Sequence, residues 1–261
     1  MTISTSLRLG ITAVAERVFF LSPCQKSAIM KSVYDFLSRL RDNNCREWFA
    51  DHKEQYLSVQ ATHHAFAQRL LDLIATFDSE ASHLSVKDCT YRIYRDIRFS
   101  ADKRPFKTHM GIFINPPYGK RINTGGYYIH IEPGHSMICA GTIGLEPKII
   151  KAVRQAIFDN IDEYRDIVES AEFRQCFDHL GDNFLKTTPK GFPKDWPYID
   201  YIRPRDFIAM RRIDDRFLCD DNAIEALLPY LVQAKRFNDF INYTIEDFID
   251  GDDHSPLPHI Y

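Results

Sequence analysis

The hydrophobic period of this chain changes twice, and that change limits what it can fold into. From Met30 onward Val33, Phe36, Leu37 and Leu40 recur at helical spacing until Asp42-Asn-Asn44 stops the run. A second helical run passes from Arg46 through Trp48, Phe49, Tyr56 and Val59 to Phe66, Leu70, Leu73 and Ile74, with one break. Residues 91–99, 110–115, 126–132 and 136–142 are instead rich in Tyr, Ile and Phe and are separated by Pro, Gly and Asn clusters. These read as strands, and Glu132-Pro-Gly-His135 as the tight turn of a hairpin.

After Pro147 the helical period returns, with Ile149, Ile150, Val153 and Ile157 on one face, and a further helix is expected over Asp162–Phe177. Residues 181–204 read as a long loop anchored by Phe192, Trp196 and Tyr198, and Asp206–Ile213 as one more strand. Residues 221–249 are helical again, with Leu227, Leu228, Leu231, Phe237, Phe240 and Ile241 as core candidates. The order predicts an α+β domain: a central antiparallel β-meander flanked by N-terminal and C-terminal helices.

One domain over residues 30–249 accounts for most of the 261 residues. Residues 1–29 lack sustained apolar periodicity, and Arg8 and Arg17 interrupt stretches too short for a signal core. They are expected to be a poorly packed extension ahead of a functional start at Met30, and residues 250–261 an acidic, frayed tail. The six cysteines are scattered without a CxxC pair, a pattern of reduced thiols in a cytoplasmic protein. No apolar run reaches membrane-spanning length, so no membrane association is expected.

Charge is uneven. Nine Lys/Arg face three Asp between Lys87 and Arg121, whereas the whole chain carries a net charge of −3. A basic patch on an acidic body suits a local binding surface better than a general nucleic-acid glove. Read as a regular strand, 91–99 would put Arg92, Tyr94, Asp96 and Arg98 on one face and Tyr91, Ile93, Arg95, Ile97 and Phe99 on the other. A carboxylate between guanidiniums orients planar bidentate forks for phosphate or carboxylate. The competing reading is an Arg–Asp network that ties the sheet to the helices. The loop Ser100–His109 adds Lys103, Arg104, Lys107 and His109, of which Arg104 reads as a solvated side chain.

His130 and Glu132 share a strand face, with His135 in the following turn, a spacing that invites comparison with a metal triad. A strand histidine bonded to its neighbour and a turn histidine in water explain it as well, and no second cluster supports a metal, so none is expected. The adjacent His63-His64 pair is expected on the surface. GxSxG, GxxxxGK[ST], HExxH and GxGxxG are all absent, Gly125-Gly126 reads as a turn, and no cofactor is expected.

The stretch from Asp35 to about Tyr243 resembles the mainly bacterial family known as domain of unknown function 2461. Its pattern Arg-x-x-Arg-Asp-x-Arg-Phe followed by Asp/Asn-Lys falls on Arg92, Arg95, Asp96, Arg98, Phe99, Asp102 and Lys103, with Phe106 where Tyr is usual. Asn44-Cys-Arg-Glu-Trp-Phe49, Tyr128-Ile-His-Ile-Glu-Pro-Gly134 and Pro189-Lys-Gly191 are similar to further family segments, in the same order. The resemblance implies membership and brings no reaction with it.

These readings lead to an expected pocket for an anionic small ligand, phosphorylated ones included. Arg92, Arg95, Arg98, Lys103 and Lys107 would hold the anion and Asp96 would orient the guanidiniums. His109 and His130 are the candidates for proton transfer should there be chemistry. Two alternatives stand beside it. One is a nucleic-acid module with Tyr91, Tyr94 and Phe99 as stacking platforms, which the acidic remainder of the chain disfavours. The other is a structural domain whose Arg/Asp motif is internally paired.

Overall fold

The computed structural model describes residues 23–249. Helix α1 runs over Pro23–Asp42. Val33, Phe36, Leu37 and Leu40 are all buried at the helical spacing read from the sequence. Each side chain so buried is worth roughly 1.5–3 kcal/mol. Asn43 ends the helix by donating its side-chain amide to the Arg39 carbonyl at 2.9 Å. The helix begins before Met30, at Pro23; residues 1–22 of the expected extension and the tail 250–261 lie outside the described residues.

Helices α2 (Arg46–Asp51) and α3 (Lys53–Ala75) follow, separated at His52. His52 stacks on Trp48, with ring centroids 4.0 Å apart, and its Nδ1 donates to the Trp48 carbonyl at 2.8 Å. This is the single break expected in the second helical run. A one-turn helix α4 (Val86–Cys89), closed by the Ser85–Asp88 capping box, leads into the basic motif.

The sheet contains β1 (Met110–Ile114), β2 (Gly126–Ile131), β3 (Met137–Thr142), β4 (His179–Asp182) and β5 (Asp206–Arg212) in the order β1-β2-β3-β5-β4, with every pairing antiparallel. Helices α5 (Pro147–Asp159), α6 (Ile161–Val168) and α7 (Ala171–Cys176) connect β3 to β4. The single helix expected over Asp162–Phe177 is divided, because the Ser170 hydroxyl accepts from Phe173 N–H and starts a new helix. Residues 181–182, at the head of the expected loop 181–204, belong to strand β4, which has four residues and a register shift, too little for a period to register. Helices α8 (Asp215–Cys219) and α9 (Ala223–Ile245) complete the α+β architecture.

Alternation along the strands splits the sheet into two faces. Ile112, Ile114, Tyr127, Ile129, Ile131, Ile138, Ala140, Phe207 and Ala209 are buried in the main core with α1, α3 and α9. The opposite face carries Gly111, Phe113, Tyr128, His130, Cys139 and Ile208, as the register requires. Two asparagines of α9 lock the helix to strand ends. Asn238 Oδ1 accepts from Gly141 N–H at 2.8 Å, and Asn242 exchanges bonds with the Gly125 backbone at 2.6 and 2.9 Å. Gly125 is therefore held under a helix, in place of the free two-glycine turn expected. His63, expected on the surface, is 1% exposed, because α3 turns that side toward the core. No helix among the described residues is long and apolar enough to cross a membrane.

Candidate functional site

The segment 91–99 is not a regular strand. It makes one isolated bridge, Tyr94 with Phe106, and a second joins Thr90, just before it, to Ile112. Arg95 N–H donates to the Pro105 carbonyl at 2.9 Å, and Lys107 N–H to the Ile93 carbonyl at 2.8 Å. Pro105 has no N–H to return, so the ladder cannot extend past it. The motif is consequently a loop folded back on itself. Asn44 pins it by donating to Phe106 O at 3.0 Å and accepting from Phe106 N–H at 3.1 Å, and Phe49 stacks on the Phe106 ring with centroids 4.0 Å apart.

Between this loop and the second face of the sheet lies a cavity of about 810 Å³. Its floor includes Gly111, Phe113, Tyr128, Cys139 and Gly141. Its walls carry Arg92, Arg95, Lys107, Lys120, Arg121 and His109, with Asp96 the only carboxylate in the lining. Arg92, Arg95, Asp96, Lys107 and His109 were singled out from the sequence; Lys120 and Arg121 were not. They arrive from a short helical turn after β1, distant in sequence from the motif, and only the charge count to Arg121 hinted at them.

The face assignment drawn from regular alternation fails with the strand. Arg92 and Arg95 both reach the cavity, whereas Arg98 is outside its lining and bonds Asp96 through Nε and Nη2, the latter at 2.6 Å. Lys103 is also outside, with Nζ on the Ile97 carbonyl at 3.0 Å. Arg95 pairs with Asp102 at 2.8 Å, and Arg104 pairs with the same carboxylate at 2.7 Å, so Arg104 is not merely solvated. These pairs join the loop to itself rather than the sheet to the helices. Hydrogen bonds from Arg104 hold the Asp102 carboxyl far below the usual range.

The remaining cations are differently held. No ion pair among the described residues involves Arg92, Lys107, Lys120 or Arg121. Lys107 and Lys120 both lie over the Tyr91 ring, at 5.3 and 5.4 Å from its centroid. Lys120 also donates to the Lys87 and Thr90 carbonyls. Burial lowers the pKa of both lysines, and Arg92 and Arg95 lower that of Lys107 further. Asp88 is within electrostatic reach of Lys120 and Arg121, but its carboxylate is bonded to Ser85.

Strand β2 carries a line of polar groups on the cavity face. Tyr128 Oη is 2.8 Å from His130 Nδ1, His130 Nε2 is 3.1 Å from Glu132 Oε2, and Thr108 donates to Glu132 Oε1 at 2.9 Å. His109 stacks on His130 with ring centroids 4.6 Å apart. Burial, then the neighbouring His130 and Lys107, push His109 down to about 3. Burial also lowers His130 despite its bond to Glu132, so that bond joins a neutral imidazole to a carboxylate at neutral pH. For Glu132, burial acts upward, but hydrogen bonds from His130 and Thr108 bring it below its ordinary value. His135 is exposed in the turn and close enough to act on His130 electrostatically, but it is not among the converging groups His109, His130 and Glu132.

A family model described as "Conserved hypothetical protein (DUF2461)" matches residues 32–240. No curated protein and no solved structure matches the chain.

Proposed function

The chain belongs to the conserved hypothetical family DUF2461, and we propose that it binds an anionic small molecule, phosphorylated ones included, in the cavity between the motif loop and the sheet. The observation that carries the proposal is the set Arg92, Lys107, Lys120 and Arg121, four cations on one cavity outside every ion pair among the described residues. Lys107 and Lys120 are half-buried and burial disfavours their charge, a cost that a bound anion offsets, whereas Arg92 and Arg121 are exposed and free to turn toward it. The only carboxylate in the lining, Asp96, is engaged by Arg98. Asp96 and Arg98 therefore support the loop, and Lys103 likewise supports it through the Ile97 carbonyl.

Shape supports a small ligand over nucleic acid, because the cations converge on a concavity rather than along a ridge. Phe99, at 96% exposure, is the one platform side chain presented fully to solvent, which is little for a stacking surface. A purely structural role is supported by the Arg95, Arg98 and Arg104 pairs, but it leaves the half-buried Lys107 without a carboxylate. The unpaired cysteines among the described residues are in keeping with a cytoplasmic protein. Groups able to move a proton at the cavity are His109 and the Tyr128–His130–Glu132 line.

Thermal denaturation with inorganic phosphate and phosphorylated metabolites tests the proposal. A ligand at about a hundred times its Kd stabilises by ~2.7 kcal/mol, on the order of 5–10 °C for a domain of this size. Arg92→Ala and Lys107→Ala should remain folded and lose that rise. A rise that persists in both variants, or none with any anion, would overturn the reading.

A further inference from the structure

The sequence offered His130, Glu132 and His135 as a possible triad; the fold assembles a different one. The β1–β2 register pairs Met110 with Ile131, so its next position sets His109 opposite Glu132, on the face that already carries His130. One nitrogen from each imidazole and one Glu132 oxygen all lie within 4.8 Å of one another. We propose that His109, His130 and Glu132 bind a first-row divalent transition metal ion on the wall of the basic cavity.

Three features carry this. His130 Nε2 and Glu132 Oε2 are 3.1 Å apart, close to the span of two ligands bonded at about 2.0–2.1 Å around one tetrahedral ion. The His109 ring, which immediately precedes β1 and stacks on His130, is the ligand that has to turn toward the ion. Next, the groups behind the ligands are oriented for the task. In the metal-free chain Nε2 carries the hydrogen that Glu132 accepts; when an ion takes that place, the hydrogen sits on Nδ1, 2.8 Å from Tyr128 Oη, which accepts the hydrogen bond and leaves the Nε2 lone pair for the ion. Thr108 holds Glu132 Oε1 at 2.9 Å and leaves Oε2 for the ion. Such outer partners fix ligand tautomer and aim. Finally, two imidazoles and one carboxylate leave coordination positions open, the arrangement of non-haem iron and catalytic zinc centres. His109 and Tyr128 both line the cavity, which puts the cluster beside it.

The ion would add positive charge beside Lys107 and Arg95, a cost that Glu132 offsets in part. An anion bridging metal and arginines would offset the rest. Metal binding is nonetheless a separate claim from anion binding and is measured without any anion.

The test is titration of the metal-free full chain with cobalt(II), followed by visible absorption, with zinc(II) as competitor. One equivalent should give a ligand-field spectrum that zinc removes. His109→Ala should abolish saturable binding, Thr108→Val should weaken it by about tenfold or more, and His135→Ala should leave it unchanged. Circular dichroism checks folding; if His109→Ala does not fold, Glu132→Gln takes its place, with the same loss expected. Absence of saturable cobalt binding, binding that survives His109→Ala or Glu132→Gln, loss with His135→Ala, or a thiolate charge-transfer band from Cys139 would each overturn the site.

Discussion

Tyr128 occupies the space that a side chain on Gly111 would need. A Cβ built on Gly111 comes within 2.8 Å of Tyr128 Oη and 2.9 Å of its ring, and the two residues stand on adjacent strands on the cavity side of the sheet. The bare Gly111 backbone is what lets the Tyr128 hydroxyl lie flat and reach His130 Nδ1.

Gly111→Ala should therefore displace the Tyr128 ring without unfolding the protein, since every close contact is with a side-chain end. Overpacking of this kind costs about 1–3 kcal/mol. A modest fall in thermal midpoint should accompany weakened binding at the cavity. A variant with unchanged stability and unchanged ligand response would show that the ring moves at no cost.

Asn44 decides whether the motif loop is rigid. Both of its amide atoms bond the Phe106 backbone. Asn44→Ala leaves a buried N–H and C=O without partners, at about 1–3 kcal/mol in all. Hydrogen exchange should accelerate across 93–107 and leave β2 and β3 protected. Uniform protection in the variant would mean that the Phe49–Phe106 stack alone holds the loop.

Asn238 and Asn242 bind the sheet to α9 from one helix face. Asn242→Leu should cost on the order of 2 kcal/mol, because the Gly125 N–H and C=O both lose their partner. Urea denaturation should show a lower midpoint with an unchanged slope. Wild-type stability would mean that water replaces the amide.

Stability should fall with acid through His63. Its ring is almost wholly buried, neither nitrogen has a hydrogen-bond partner, and burial pushes its pKa from 6.5 down to about 3. The unfolded chain thus binds the proton between these values and the folded chain does not, so stability is full above about pH 6.5 and declines as pH drops toward 3. His63→Leu should flatten part of that decline and, by removing two unsatisfied nitrogens, hold or raise the midpoint at pH 8. An acid limb identical to that of the parent would assign the effect to His109 and His130, whose pKa values are lowered as well.

Periodicity alone determined the helices around Leu37, Val153 and Leu227, the three consecutive strands of the meander, and hence the α+β class. Each of those segments buries one continuous face, so its burial pattern is written locally in the chain. The basic motif was legible as a place and not as a geometry. Alternation predicted that Arg92 and Arg98 share a face; Pro105 interrupted the ladder, Asp96 drew Arg98 away, and Arg95 took the position beside Arg92. Lys120 and the pairing of His109 with Glu132 depend on strand register across an intervening loop, and no local pattern encodes the register of residues so far apart. His63 shows the same limit from the other side: adjacent polar residues on a helix look alike in sequence, and only the packing of α3 against the rest of the fold decided which of the two rings was removed from water.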